Sequence, residues 1–143
     1  MDGLERFLDG QRFGYETALK EMQMGRKVNH WIWYIFPQMK GLGHSPNAQL
    51  YGIASLDEAK AYLEHPVLGK RLREITQAVL SHKDESIFEI MGSRIDAIKF
   101  KSSMTLFDQV SPNDLYAEVL DSFFEGRRDS RTMDLVNKTG DKG

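Results

Sequence analysis

The residues that could do chemistry in this 143-residue chain fall into a few clusters, and none spells a familiar catalytic motif. The first is a polar stripe, Asp96, Lys99 and Ser103. On a helix turning about 100° per residue, these positions fall inside an apolar arc of Ala97, Phe100, Met104, Leu106, Phe107 and Val110. A charge on an apolar face must be compensated, because desolvating it alone costs several kcal/mol. The spacing lets Asp96 pair with Lys99 and lets the Ser103 hydroxyl accept from the same ammonium. Three readings stay open. The stripe is a buried ion pair that fixes helix register. Alternatively it lines a pocket where a partly desolvated lysine anchors phosphate or carboxylate. The third is a Ser–Lys nucleophilic dyad, for which no oxyanion donors can be located in the sequence.

The second cluster is HWIWYIFPQ, residues 30–38. Its tryptophans, tyrosine and histidine make aromatic walls with polar tips, suited to stacking a base or sugar ring and equally suited to plain core. His30 is either a hydrogen-bonded core residue or an orienting group. Gln38 follows the Pro37 break, where a side chain can point into a cavity. The third cluster is GRRDSRT, residues 126–132, with Arg127, Arg128 and Arg131 beside Asp129. Arginine forks suit phosphate or carboxylate, and the same run suits a solvated helix start capped by Asp129. Gln11 sits at the centre of the arc of Leu4, Leu8, Tyr15 and Met22, so its amide needs a partner, either loop backbone or ligand.

Other chemistries are excluded or weak. There is no cysteine, so disulfides, thiolate nucleophiles and cysteine-ligated metals are out. The histidines, at 30, 44, 65 and 82, lack metal-ligand spacing. GLGHSP, residues 41–46, starts like a dinucleotide loop, but it lacks the third glycine and follows no strand, so it reads as a tight turn. A net charge of -2 and a pI near 6.1 argue against non-specific nucleic-acid binding. The longest apolar run, residues 31–37, is far short of the ~20 residues a bilayer requires. The acidic start MDGLERFLDG is no secretory signal. A cytoplasmic protein without membrane contact is expected.

The elements that must position these clusters read as helices. Residues 4–24 carry Leu4, Phe7, Leu8, Tyr15, Ala18, Leu19 and Met22 on one face, with Gly25 as a stop and Gly10 and Gly14 as weak points. Residues 30–36 read as a short helix or extended run, and 39–54 as a long ordered loop with one helical turn at most. Ser55 and Glu58 fit a capping box before 56–63. Pro66 opens a helix striped by Leu68, Leu72, Ile75 and Val79, and a short helix follows at 84–91. Ser93 caps 94–110, Ser111 to Asp114 start a helix carrying Leu115, Val119 and Phe123, and Asp129 starts a last one through Val136. Strand alternation and hairpin turns are missing. The expectation is an all-α single domain of about six to eight helices spanning residues 4–138, with an unstructured tail at 139–143. Trp31, Trp33, Ile35, Phe36, Phe100, Met104 and Phe107 are expected in the core.

The stretch HWIWYIFPQMKGLGHSPNAQLYGIASLDEAKAYLEHPVLGKRL, with KSSMTLFDQVSPND, FFEGRRDSRT, the opening LERFLDGQ and the GRKVNHW junction, closely resembles the bacterial domain-of-unknown-function family 1810. Members are often labelled calpastatin without basis; that inhibitor class consists of long disordered chains. The resemblance covers about residues 4–135 and implies a mainly α-helical single domain. It implies no activity and carries over no catalytic residue. Gly10 departs from the alanine expected before the glutamine.

The combined reading is a polar pocket built from the 30–38 segment, the GLG loop, the Asp96–Lys99–Ser103 stripe and Arg127 or Arg131. It would take a small anionic ligand, phosphorylated or nucleotide-like. Lys99 anchors the charge, Trp33 or Tyr51 stacks, and Gln38 and His30 orient. No metal is expected, and no motif names a cofactor or a reaction. The rival, from another class, is a protein–protein interaction module in which the same clusters are core. Oligomeric state stays open. Convergence of Lys99, His30 and Gln38 on one cleft would favour the first reading.

Overall fold

Gly25 ends the first helix as its position suggests. The computed structural model describes residues 3–140, and α1 spans Glu5–Met24. Gly25 takes the left-handed conformation (φ 80°). Its N–H and that of Arg26 close onto the Met22 and Glu21 carbonyls at 3.1 and 2.9 Å, so the helix ends with satisfied carbonyls. The glycines inside α1 have a packing role. A Cβ at Gly10 would lie 2.9 Å from Tyr34 Cγ, and one at Gly14 would lie 2.6 Å from the Tyr34 hydroxyl. The two glycines form a slot for that ring, which accounts for glycine where alanine was expected.

The chain then makes the one-turn helix α2 (Ile32–Ile35), passes Pro37, and forms a single parallel bridge between Met39 and Ile53. Between them the expected loop contains α3 (Pro46–Tyr51), capped by the Ser45 hydroxyl. Next come α4 (Leu56–Glu64), α5 (Leu68–Leu80), α6 (Ile87–Met91), α7 (Arg94–Val110), α8 (Leu115–Phe124) and α9 (Ser130–Gly140). Ser55, Ser86, Ser93 and Asp114 accept from backbone N–H groups at the starts of α4, α6, α7 and α8. The capping box at α4 is only half made. Glu58 accepts from the Ala54 N–H and pairs with Arg6 at 3.0 Å, tying α4 to α1. Helix accounts for 68% of the structure, and the described residues contain no strand beyond the isolated bridge. Residues 141–143, most of the tail expected to be unstructured, lie outside the described residues.

α7 is the central element, packed by α4, α6, α8 and α9. From Ser102 to Asp108 every residue is buried, polar ones included. An aromatic chain crosses the core from Phe7 through Tyr62 and Phe107 to Tyr116, with centroid distances of 5.0, 5.4 and 5.9 Å. Trp31, Ile35, Phe36, Phe100, Met104 and Phe107 are all buried; Trp33 is only half-buried. Gln11 is buried, and its partners are in helices rather than a loop: its amide donates to the Tyr34 carbonyl of α2 at 2.8 Å and to the Tyr62 hydroxyl of α4 at 3.0 Å.

One carboxylate fastens the α1–α2 connection. Glu21 accepts from the Val28 and Asn29 N–H groups at 2.7 and 3.1 Å, from the Trp31 indole at 2.9 Å, and from the Asn29 amide. Burial pushes its carboxyl up, but these hydrogen bonds outweigh it and leave the group below its ordinary 4.5. At the start of α8 the Arg73 guanidinium, the Ser111 hydroxyl and the Leu115 N–H hold the Asp114 carboxyl well below its ordinary 3.8. A carboxyl with a lower pKa folded than unfolded adds stability above the unfolded value, and that contribution is lost as pH falls through the folded value. The melting temperature should therefore start to fall as pH drops below 4.5, and fall further below 3.8. Glu21→Gln should flatten the upper part of that decline. An unchanged acid decline in both Glu21→Gln and Asp114→Asn would remove these carboxylates as its cause.

Candidate functional site

Pro37 and Gly41 shape the loop that forms one side of a groove. The Ile53 N–H donates to the Gln38 carbonyl at 2.9 Å and the Lys40 N–H donates to the Ile53 carbonyl at 2.8 Å, so the chain after Pro37 is held rigidly. Gly41 (φ 107°) then turns it back past Leu42 and Gly43. Opposite this loop lie the first three turns of α7 and the start of α9. The groove has a volume of about 280 Å³. Its polar lining is Gln38, Lys99, Ser102, Asp129 and Arg131, and its apolar lining is Leu42, Ile95 and Ile98.

Two cations meet here. The Lys99 ammonium lies 5.1 Å from the Trp33 ring centroid and has no carboxylate within salt-bridge distance among the described residues. Arg131 likewise has none, and among the described residues the one polar contact of its side chain is a long 3.5 Å approach to the Leu42 carbonyl. Asp129 also faces the groove, but its carboxylate is engaged at the head of α9, accepting from the Thr132 N–H at 3.0 Å and from the Thr132 hydroxyl. Lys99 and Arg131 against Asp129 leave a net charge of +1 in the groove.

The sequence expectation is therefore partly redistributed. Gln38, Lys99 and Arg131 come together, with Trp33 beneath Lys99. Asp96 does not pair with Lys99. It turns to Lys27, 2.8 Å away, because the residues after α1 run alongside α6 and bring Lys27 onto the first turn of α7. Lys99 is accordingly only half-buried, without the carboxylate partner expected for it. Ser103 is wholly buried with no hydrogen-bond partner among the described residues, and its neighbour Ser102 takes the groove position. Both are helical neighbours of Lys99, at i+3 and i+4, so periodicity alone could not choose between them. His30 is exposed and lies in a separate depression with Phe13 and Tyr34. Tyr51 packs between Phe7 and Tyr34, at 6.0 and 5.4 Å, away from the groove. Arg127 lines a different groove, and Arg128 is used structurally, its Nε and Nη2 both 3.1 Å from Asp108 Oδ2. Sequence reasoning missed Ile95 and Ile98, which lie outside the apolar arc read for α7 and stand exposed along the groove. Among the described residues no group of three or more His, Cys, Asp or Glu side chains could hold a metal ion, and no helix is long and apolar enough to cross a membrane.

Residues 1–136 match the family described as "Protein of unknown function (DUF1810)". The chain belongs to this family. It is also similar to the crystal structure of the conserved hypothetical protein Rv1873 from Mycobacterium tuberculosis, with 43% sequence identity and a TM-score of 0.91 over 95% of this chain and 97% of that one. No curated protein matches the chain significantly. The DUF1810 fold is thus shared at high similarity, and neither comparison names an activity.

Proposed function

We propose that this DUF1810 protein binds a small phosphorylated or carboxylated molecule in the Lys99–Arg131 groove. The observation that carries this reading is the convergence on one concave site of two cationic side chains that have no carboxylate partner among the described residues. A guanidinium fork and an ammonium can hold an anionic group by charge-assisted hydrogen bonds. The Gln38 amide and the Ser102 hydroxyl add neutral polar groups, and Ile95, Ile98 and Leu42 offer an aliphatic wall. A volume of about 280 Å³ is at the small end for ligand pockets, which favours a metabolite over a larger cofactor. The stacking role first given to Trp33 or Tyr51 is not part of the proposal, because the Lys99 ammonium occupies the Trp33 face and Tyr51 lies elsewhere. A nucleobase therefore has no aromatic platform here.

A thermal-shift screen with a panel of phosphorylated and carboxylated metabolites, with inorganic phosphate as the simplest probe, tests it. Lys99→Met keeps the stem over Trp33 and strands no carboxylate, so its melting temperature should stay near wild type. Affinity for a molecule found in the screen should fall by roughly tenfold to a hundredfold, the loss expected for one hydrogen bond to a charged group. A stabilising ligand that responds neither to Lys99→Met nor to Arg131→Met would overturn the site.

A further inference from the structure

Phe88, Ile95 and Ile98 stand in solvent, with exposures of 48%, 66% and 46%. Phe88 lies on α6 and the two isoleucines on the first half of α7. On the side of Ile98 away from the anion groove, the surface opens into a second groove of about 540 Å³. Phe123 and Phe124 of α8 form its far wall, and Arg94, Lys101 and Arg127 surround it. Among the described residues that line it, Glu125 is the one carboxylate. It lies 3.7 Å from Arg127 with both side chains in solvent, a pairing too screened to tie up the guanidinium. Three cations against one carboxylate leave this groove at +2, on a chain whose net charge is -2. Two ring faces already carry cations: Arg94 lies 5.9 Å from the Phe88 centroid and Lys101 lies 5.8 Å from that of Phe124. Those faces are not open for stacking bases, whereas the exposed Ile98 side chain is open for apolar side chains.

We propose that this face docks a short acidic segment of a partner protein. An apolar anchor residue of that segment would sit between Phe88, Ile98 and Phe123, and its flanking carboxylates would meet Arg94, Lys101 and Arg127. The charge of the groove, opposite in sign to that of the whole chain, supplies the complementarity and steers such a segment to this face rather than to the rest of the surface. The proposal does not depend on the anion groove, because Lys99 and Arg131 do not line the second groove and Lys101 and Arg127 do not line the first.

The test is selection of a randomised peptide library displayed on phage against the intact protein. Counter-selection uses the variant Arg94→Glu/Lys101→Glu/Arg127→Glu, whose fold is checked by circular dichroism and melting temperature. Enriched peptides should combine Asp or Glu with Phe, Leu or Ile. Binding of a synthetic copy should weaken by roughly tenfold or more in Lys101→Glu/Arg127→Glu, since like charges then face each other across the interface. It should weaken in Ile98→Asp as well, and stay unchanged in Lys99→Met. Amide chemical-shift changes should centre on Phe88, Ile98 and Phe123. The proposal is overturned if selection yields no peptide that prefers wild type to the triple variant, or if the enriched peptides lack acidic residues. It is equally overturned if shifts map to the other exposed apolar patch at Phe13, Met24 and Val28, or if a thymidine oligonucleotide or phosphatidylserine vesicles compete more strongly than the peptide.

Discussion

Gly69→Ala should be among the most damaging single substitutions in the molecule, although it adds one methyl group to a helix. Gly69 lies in the first turn of α5, and a Cβ there would stand 2.0 Å from the Leu63 carbonyl oxygen and 2.8 Å from its carbonyl carbon. Both atoms are backbone of the last turn of α4, so no rotamer change relieves the overlap; the two helices must separate. The connection between them resists this. His65 Nδ1 accepts from the Val67 and Leu68 N–H groups at 3.1 and 3.2 Å, which fixes the turn around Pro66. Alanine normally improves a helix by up to ~1 kcal/mol over glycine. Here the steric term should outweigh that and leave a net loss of about 3 kcal/mol, the upper end for overpacking. Chemical denaturation of G69A measures it, and a variant within about 1 kcal/mol of wild type would show that α4 and α5 can part without cost.

The second large effect is expected at Asp96. Its partner Lys27 has a side chain only 4% exposed, with the ammonium 2.8 Å from Asp96 and 5.0 Å from the Trp31 ring centroid. Asp96→Ala leaves that ammonium buried against an indole with no counter-charge. The loss should be about 3 kcal/mol, the lower end for breaking a buried pair, because Asp96 itself retains some solvent contact. Adding Lys27→Met should recover most of it. The methionine keeps much of the stem over Trp31 and removes the stranded charge, and buried ion pairs are commonly replaceable by apolar residues of similar volume. Equilibrium unfolding of the two single variants and the double variant gives the coupling directly. If D96A alone costs less than about 1 kcal/mol, the Lys27 ammonium escapes to water and the pair contributes little.

Asp96 also marks where reading from sequence stopped working. The helical wheel of residues 94–110 assumed one buried face. In the structure every residue from Ser102 to Asp108, in the second half of α7, is buried, while the first half keeps Ile95 and Ile98 in solvent. A single arc averaged over both halves put Asp96, Lys99 and Ser103 in one environment; the fold gives each its own. Ser103 is enclosed in the core, Asp96 meets a residue from the α1–α2 connection, and Lys99 lies over Trp33 facing the groove. The arginine run divides the same way, since Arg128 finds Asp108 while Arg127 and Arg131 point into different grooves.

What the sequence determined by itself is the set of helices and most of their ends. Ser55, Ser93, Asp114 and Gly25 stand where the backbone needs an acceptor or a left-handed residue, and the apolar spacing of α1 and α5 names their buried faces. Such features act between residues within about four positions of each other, so the local sequence contains every participant. Which charge meets which, which glycine is a slot and which side chains share a groove were decided only by the tertiary structure. Lys27 and Asp96, Gly14 and Tyr34, and Lys99 and Arg131 are far apart in the chain and become neighbours only when helices pack. Burial and charge compensation depend on that packing, because a charge is stabilised by whatever lies within a few ångströms of it and not by what precedes it in sequence.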